Sequence, residues 1–82
     1  MSEYLRRFLR DYPGMADAQH VYHVETEYNV SRNGARHIIG VSAKSSVHFT
    51  RLDTEEVASI TLPMDEVGLF LYGLELYKMG KK

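Results

Sequence analysis

The chain has 82 residues, ten lysines and arginines against eleven aspartates and glutamates, four histidines and no cysteine, for a formal net charge of −1. That length suits one domain over residues 1–82 with a single two-layer core, and it disfavours a deep enzyme cleft. The near-neutral balance argues against a protein whose main task is neutralising phosphates, and the lack of cysteine removes disulfide and thiolate chemistry and fits a reducing compartment.

Residues 2–12 read as a short amphipathic helix, with Tyr4, Leu5, Phe8, Leu9 and Tyr12 on one face and Ser2 as N-cap. Arg6, Arg7 and Arg10 form a basic stripe on the opposite face, read first as a solvated helix surface and second as an anchor for an acidic partner or a nucleic-acid backbone. Pro13-Gly14 ends the helix, and residues 14–19 read as a linker without a signature of its own. No signal-peptide core is expected in the first residues and no apolar run is long enough to span a bilayer, so a cytoplasmic protein without membrane contact is expected.

Residues 20–32 alternate strictly. Tyr22, Val24, Thr26, Tyr28 and Val30 point one way, and His23, Glu25, Glu27, Asn29 and Ser31 the other, which is the pattern of a half-buried strand. Asn33-Gly34 follows and predicts a two-residue hairpin turn, because a type I′ turn needs positive φ at both central residues. That turn sets Arg32 against Ala35, Val30 against His37, Tyr28 against Ile39, Thr26 against Val41 and Val24 against Ala43. On the other face it sets His23 against Lys44. If Lys44, Ser45 and Ser46 make a three-residue turn, Val47 and Phe49 return to the apolar face. A polar loop over residues 53–56 then pairs Phe49 with Ile60 and Val47 with Leu62.

Residues 63–78, the longest apolar stretch, predict a C-terminal helix with two stripes. Val67, Phe70, Leu71, Leu74 and Tyr77 lie on one side, and Leu69, Tyr72, Leu76 and Met79 lie almost opposite. Pro63 suits the first helical position, Asp65 and Glu66 the first turn, and Lys78, Gly80, Lys81 and Lys82 a cationic stop. The expected fold is therefore an α+β two-layer sandwich, a four-stranded antiparallel meander sheet with an N-terminal and a C-terminal helix in the order αββββα. Its covered face would hold Tyr22, Val24, Tyr28, Val30, Ile39, Val41, Val47, Phe49, Ala58, Ile60 and Leu62.

No catalytic, cofactor or metal motif stands out, and none of the three is expected. His20 and His23 fall on opposite faces of a strand. His23, Glu25 and Glu27 share the open face with His48, expected two strands away, and read as a solvated sheet surface. His37 reads as a partly buried core-side histidine. The open face has no aromatic residue on which bases would stack, so nucleic acid is not the expected partner; a nucleic-acid-binding regulator using the arginine-bearing helix is the alternative.

Protein binding remains, and three surfaces are candidates. Leu69, Tyr72 and Leu76 would form a homodimer or partner contact if the N-terminal helix leaves them uncovered. The first strand, as a sheet edge, can accept a strand. Glu25 and Glu27 with His48, and the loop at residues 53–56, offer acidic contacts to a basic partner. In size and architecture the chain resembles small phage-encoded inhibitors, anti-CRISPR proteins among them, which are compact, lack cofactors and act by occluding a larger machine. The resemblance implies a noncatalytic module that regulates or inhibits a larger protein or complex.

Overall fold

The computed structural model describes residues 2–34 and 36–80. Helix α1 (Glu3–Asp11) leads through a 3₁₀ turn (Pro13–Ala16) into three strands, β1 (His20–Asn33), β2 (His37–Arg51) and β3 (Val57–Pro63). A second 3₁₀ turn (Met64–Glu66) opens into helix α2 (Val67–Gly80). The strands form one antiparallel sheet in the order β1-β2-β3. The α+β class is as expected; the sheet has three strands where four were expected.

The difference lies at Lys44, Ser45 and Ser46, which make no turn. β2 runs unbroken for 15 residues. Two polar residues can stay in the strand because each hydroxyl finds a cross-strand partner. Ser45 Oγ lies 2.9 Å from Thr26 Oγ1 and Ser46 Oγ 3.1 Å from Thr61 Oγ1, so the hydrogen bond to Thr26 offsets the cost of removing the fully buried Ser45 hydroxyl from water.

The register moves accordingly. Tyr22 faces Phe49, Val24 faces Val47, Thr26 faces Ser45, Tyr28 faces Ala43 and Val30 faces Val41. On the other side of β2, Phe49 faces Ala58, Val47 faces Ile60 and Ser45 faces Leu62. Near the hairpin tip the ladder shifts between Ser31 and Arg32, so Arg32 faces Ile38 and Asn33 faces His37. Asn33 is thus the last paired residue rather than a turn residue. Gly34, at φ 76°, supplies the left-handed conformation that begins the connection. Ala35, expected opposite Arg32, lies outside the described residues. Across this bulge His37 shares the face of Asn33, which is the open one, and Ile38 moves to the face of Arg32. Both are the reverse of the expectation.

Both helices cover the same face of the sheet, and only its lower half. Ser2 Oγ accepts the Leu5 N–H at 3.1 Å and caps α1, whose Leu5 and Phe8 are buried. Phe8 lies on β3's side of the sheet, its ring 4.9 Å from Phe49 and edge-on to Phe70 at 5.4 Å. α2 contributes Phe70 and Leu74 and lies over the base of β1 and β2. Val47, Phe49, Ala58 and Leu62 complete the core together with Met15. Met15 comes from the segment expected to be a linker: the 3₁₀ turn bends its side chain inward. Pro63 ends β3 and precedes the second 3₁₀ turn instead of opening α2, and Asp65 and Glu66 lie in that turn. α2 continues to Gly80; Lys81 and Lys82, expected as its cationic stop, lie outside the described residues.

Leu5 of α1 packs against α2 at a position where α2 has no side chain. A Cβ built on Gly73 would lie 2.9 Å from Leu5 Cδ2.

Beyond Ser45 the sheet loses its cover. β3 ends its pairing at Lys44, so the far half of the β1–β2 hairpin projects as a two-stranded arm from a molecule 54 Å long and 25 by 17 Å across. Tyr22, Val24, Tyr28, Val30, Ile39 and Val41, expected under the helices, are exposed. Tyr22 and Val24 lie opposite the buried Phe49 and Val47 but on the edge strand. For the residues further out the helical layer is too short: the 14 residues of α2 span about 21 Å at 1.5 Å per residue, while β2 at about 3.3 Å per residue spans roughly 50 Å.

Candidate protein-binding surfaces

The arm is the first surface. Its helix-side face continues the row that forms the core at Val47 and Phe49, but Tyr28 is 62% exposed and Val41 61%. Tyr28 is held from one side by its hydroxyl, which donates to Met64 Sδ at 3.7 Å. Among the described residues neither edge of the arm is paired, β1 along its whole length and β2 from His37 to Ala43. Arg32 and Arg36 stand near the tip of the arm and make it basic, while Lys44 at its root faces Glu27.

α2 provides the second surface. Leu69 is 66% and Tyr72 64% exposed, and Leu76 and Met79 continue the stripe. α1 packs beside this stripe, not over it: Leu5, Gly73, Leu76 and Tyr77 line the shallow groove between the helices. Leu76 therefore borders that groove while Leu69 and Tyr72 face solvent.

The other predicted residues are dispersed. Arg6 and Arg7 stand 3.8 and 3.6 Å from the Glu3 carboxylate and Arg10 stands 3.3 Å from Asp11, all on the exposed face of α1. Their charges are partly offset within their own helix, and such exposed pairs contribute little to stability. In the loop at residues 53–56, Asp53 takes both Nε and Nη2 of Arg51, at 3.0 and 2.8 Å, and Glu56 lies 3.7 Å from the same guanidinium. The hydrogen bond from Arg51 holds the Asp53 carboxyl below its ordinary range. Glu55, at φ 62°, is the one acid of this loop with no ion pair among the described residues.

The structure does bring His23 and His48 together. They were expected two strands apart, and the four-residue change of register makes them direct cross-strand neighbours, with stacked rings 4.8 Å apart. Glu25 joins them, its Oε1 3.2 Å from His23 Nε2. Glu27 lies one repeat further out, opposite Lys44. His20, at the base of β1, is held by Ala18: its Nδ1 is 3.3 Å from the Ala18 carbonyl, and its ring meets Phe49 edge-on at 5.0 Å. Burial, reinforced by the Lys78 ammonium, pushes the His20 imidazole below its ordinary value, while the Ala18 carbonyl and Glu75 oppose this.

A shallow cleft of about 230 Å³ on the helix side is lined by His20, Tyr22, Phe49, Leu71, Tyr72 and Leu74. Glu75 and Lys78 of α2 complete its lining, so the His20 imidazole shares the cleft with a carboxylate and an ammonium. Among the described residues no helix is long and apolar enough to cross a membrane. No protein-family model, no curated protein and no solved structure matches this chain.

Proposed function

We propose that the chain is a noncatalytic protein-binding module that regulates or blocks a larger protein or complex, and that the projecting hairpin arm is the part that binds. One observation supports this above the others: Tyr28, Val30 and Val41 continue the core-forming row of the sheet past the point where the helices stop. Apolar surface exposed on a preformed two-stranded ribbon costs free energy in water and is recovered when a partner covers it. Tyrosine and aliphatic residues framed by arginine are the composition of interface centres. The basic tip favours a partner whose apolar groove is rimmed by carboxylates. The unpaired stretch of β2 from His37 to Ala43 adds a backbone edge to which such a partner can add a strand.

A second copy of the chain is the occupant that the exposed Leu69, Tyr72 and Leu76 favour for α2. Both contacts are read by one set of variants. Tyr28→Thr, Val30→Thr and Val41→Thr together remove the arm's apolar face while keeping strand propensity. Leu69→Glu with Leu76→Glu does the same for α2. Each protein is immobilised, exposed to nuclease-treated lysate, and run separately in sedimentation equilibrium. The expected result is a retained protein that the threonine variant loses, and self-association that the glutamate variant loses. Equal retention by the unmodified chain and the threonine variant, or loss of all retained material on nuclease treatment, would overturn the reading; the latter would turn attention to Arg6, Arg7 and Arg10 as phosphate contacts.

A further inference from the structure

We propose that His23, Glu25 and His48 form a site for a divalent transition metal of the zinc class on the open face of the sheet. The inference stands on geometry independent of the arm. One donor atom from each of the three side chains lies within 4.8 Å of the other two. A tetrahedral zinc ion with bonds of about 2.0–2.2 Å needs its donors roughly 3.3–3.6 Å apart. Exposed side chains close that difference by small χ rotations, and the His23 Nε2 to Glu25 Oε1 separation is already 3.2 Å.

The backbone beneath is held firmly. His48 lies on the central strand between Val47 and Phe49, which are fully buried on the opposite face, and His23 is fixed to it by the ladder. Alternation along β1 places Glu25 on the same side as His23, two residues on. Neither imidazole is drawn into the protein, and Glu25 has no lysine or arginine partner among the described residues. Its cross-strand neighbour is Ser46, whereas Glu27 faces Lys44. Glu25 belongs to the cluster, while Glu27 lies one repeat outside it.

Two imidazoles and one carboxylate make a nitrogen-rich donor set that suits zinc, copper or nickel over calcium or magnesium, which require more oxygen ligands. Three protein ligands leave the fourth position to water. An ion here would cross-link β1 to β2 and stabilise the hairpin from which the arm extends.

The test is titration of zinc chloride into chelator-treated protein in a noncoordinating buffer at neutral pH, followed by calorimetry and thermal unfolding. One ion should bind per chain, with a rise in the unfolding midpoint. His23→Ala and His48→Ala should each weaken binding on the order of tenfold or more and remove the rise. Because a coordinating imidazole must be unprotonated, binding should weaken in acid. His37→Ala, on the same face at the far end of the hairpin, should bind as the unmodified chain does. Absence of saturable binding, or equal loss in His37→Ala and His23→Ala, would overturn the site. Circular dichroism of the metal-free variants separates loss of the site from loss of the fold, since these exposed substitutions should leave the spectrum unchanged.

Discussion

Thr26 and Ser45 face each other across β1 and β2 with their hydroxyl oxygens 2.9 Å apart, one residue exposed and the other fully buried. The asymmetry predicts an order of stabilities. Ser45→Ala leaves Thr26 where water can satisfy it and should cost about 1 kcal/mol. Thr26→Val strands a buried hydroxyl and should cost more, about 1–3 kcal/mol, although Thr26 is the more exposed residue. The double variant should be more stable than Thr26→Val alone. Urea unfolding of the four proteins gives the cycle.

Gly73 leaves room on α2 for the Leu5 side chain of α1. Gly73→Val should destabilise the chain by about 1–3 kcal/mol, because the new side chain would displace the Leu5 methyl from its buried position. The helix-propensity gain over glycine is smaller than that. Adding Leu5→Ala to Gly73→Val should recover part of the overpacking cost, so the two changes should be less than additive in a thermal melt.

His20 gives the fold an acid sensitivity of defined sign. Its folded pKa lies below the ordinary 6.5, chiefly through burial and then through Lys78, so the unfolded chain takes up the proton first. Stability from this residue is complete above about pH 6.5 and is lost as pH falls from there through the lowered folded value. His20→Gln should flatten the stability profile in that interval. An unchanged slope in denaturation midpoints across it would contradict the assignment.

The α2 stripe should be dispensable to the monomer. With Leu69 66% and Leu76 50% exposed, Leu69→Glu and Leu76→Glu should each change stability by about 0.5 kcal/mol or less. A collapse of the helical circular-dichroism signal would show that the stripe is internal.

Much of this was legible in the residues. The spacing of Leu5 and Phe8, of Phe70 and Leu74, and the alternation from Tyr22 to Val30 gave the elements and the faces. The fourth strand failed for a specific reason. Ala43 and Val47 share a face whether the chain runs straight between them or passes through a three-residue turn, so hydrophobic period alone cannot choose. The deciding signal was the absence of glycine, proline, asparagine and aspartate from Lys44, Ser45 and Ser46, joined to hydroxyl partners at Thr26 and Thr61. The same error set His23 against Lys44 and hid its contact with His48. Met15 was missed because one inward residue on a 3₁₀ turn has no periodicity to display.

The binding arm exists only if β2 is continuous, and cross-strand nuclear Overhauser contacts in the isolated chain test this most directly. Contacts pairing Val24 with Val47, Tyr28 with Ala43 and His23 with His48 are the predicted result. Contacts pairing Val24 with Ala43, Tyr28 with Ile39 and His23 with Lys44 would contradict it: the chain would then turn at Asn33-Gly34 and again at Lys44 to Ser46, a further strand would flank the hairpin, and both the arm and the histidine pair would disappear.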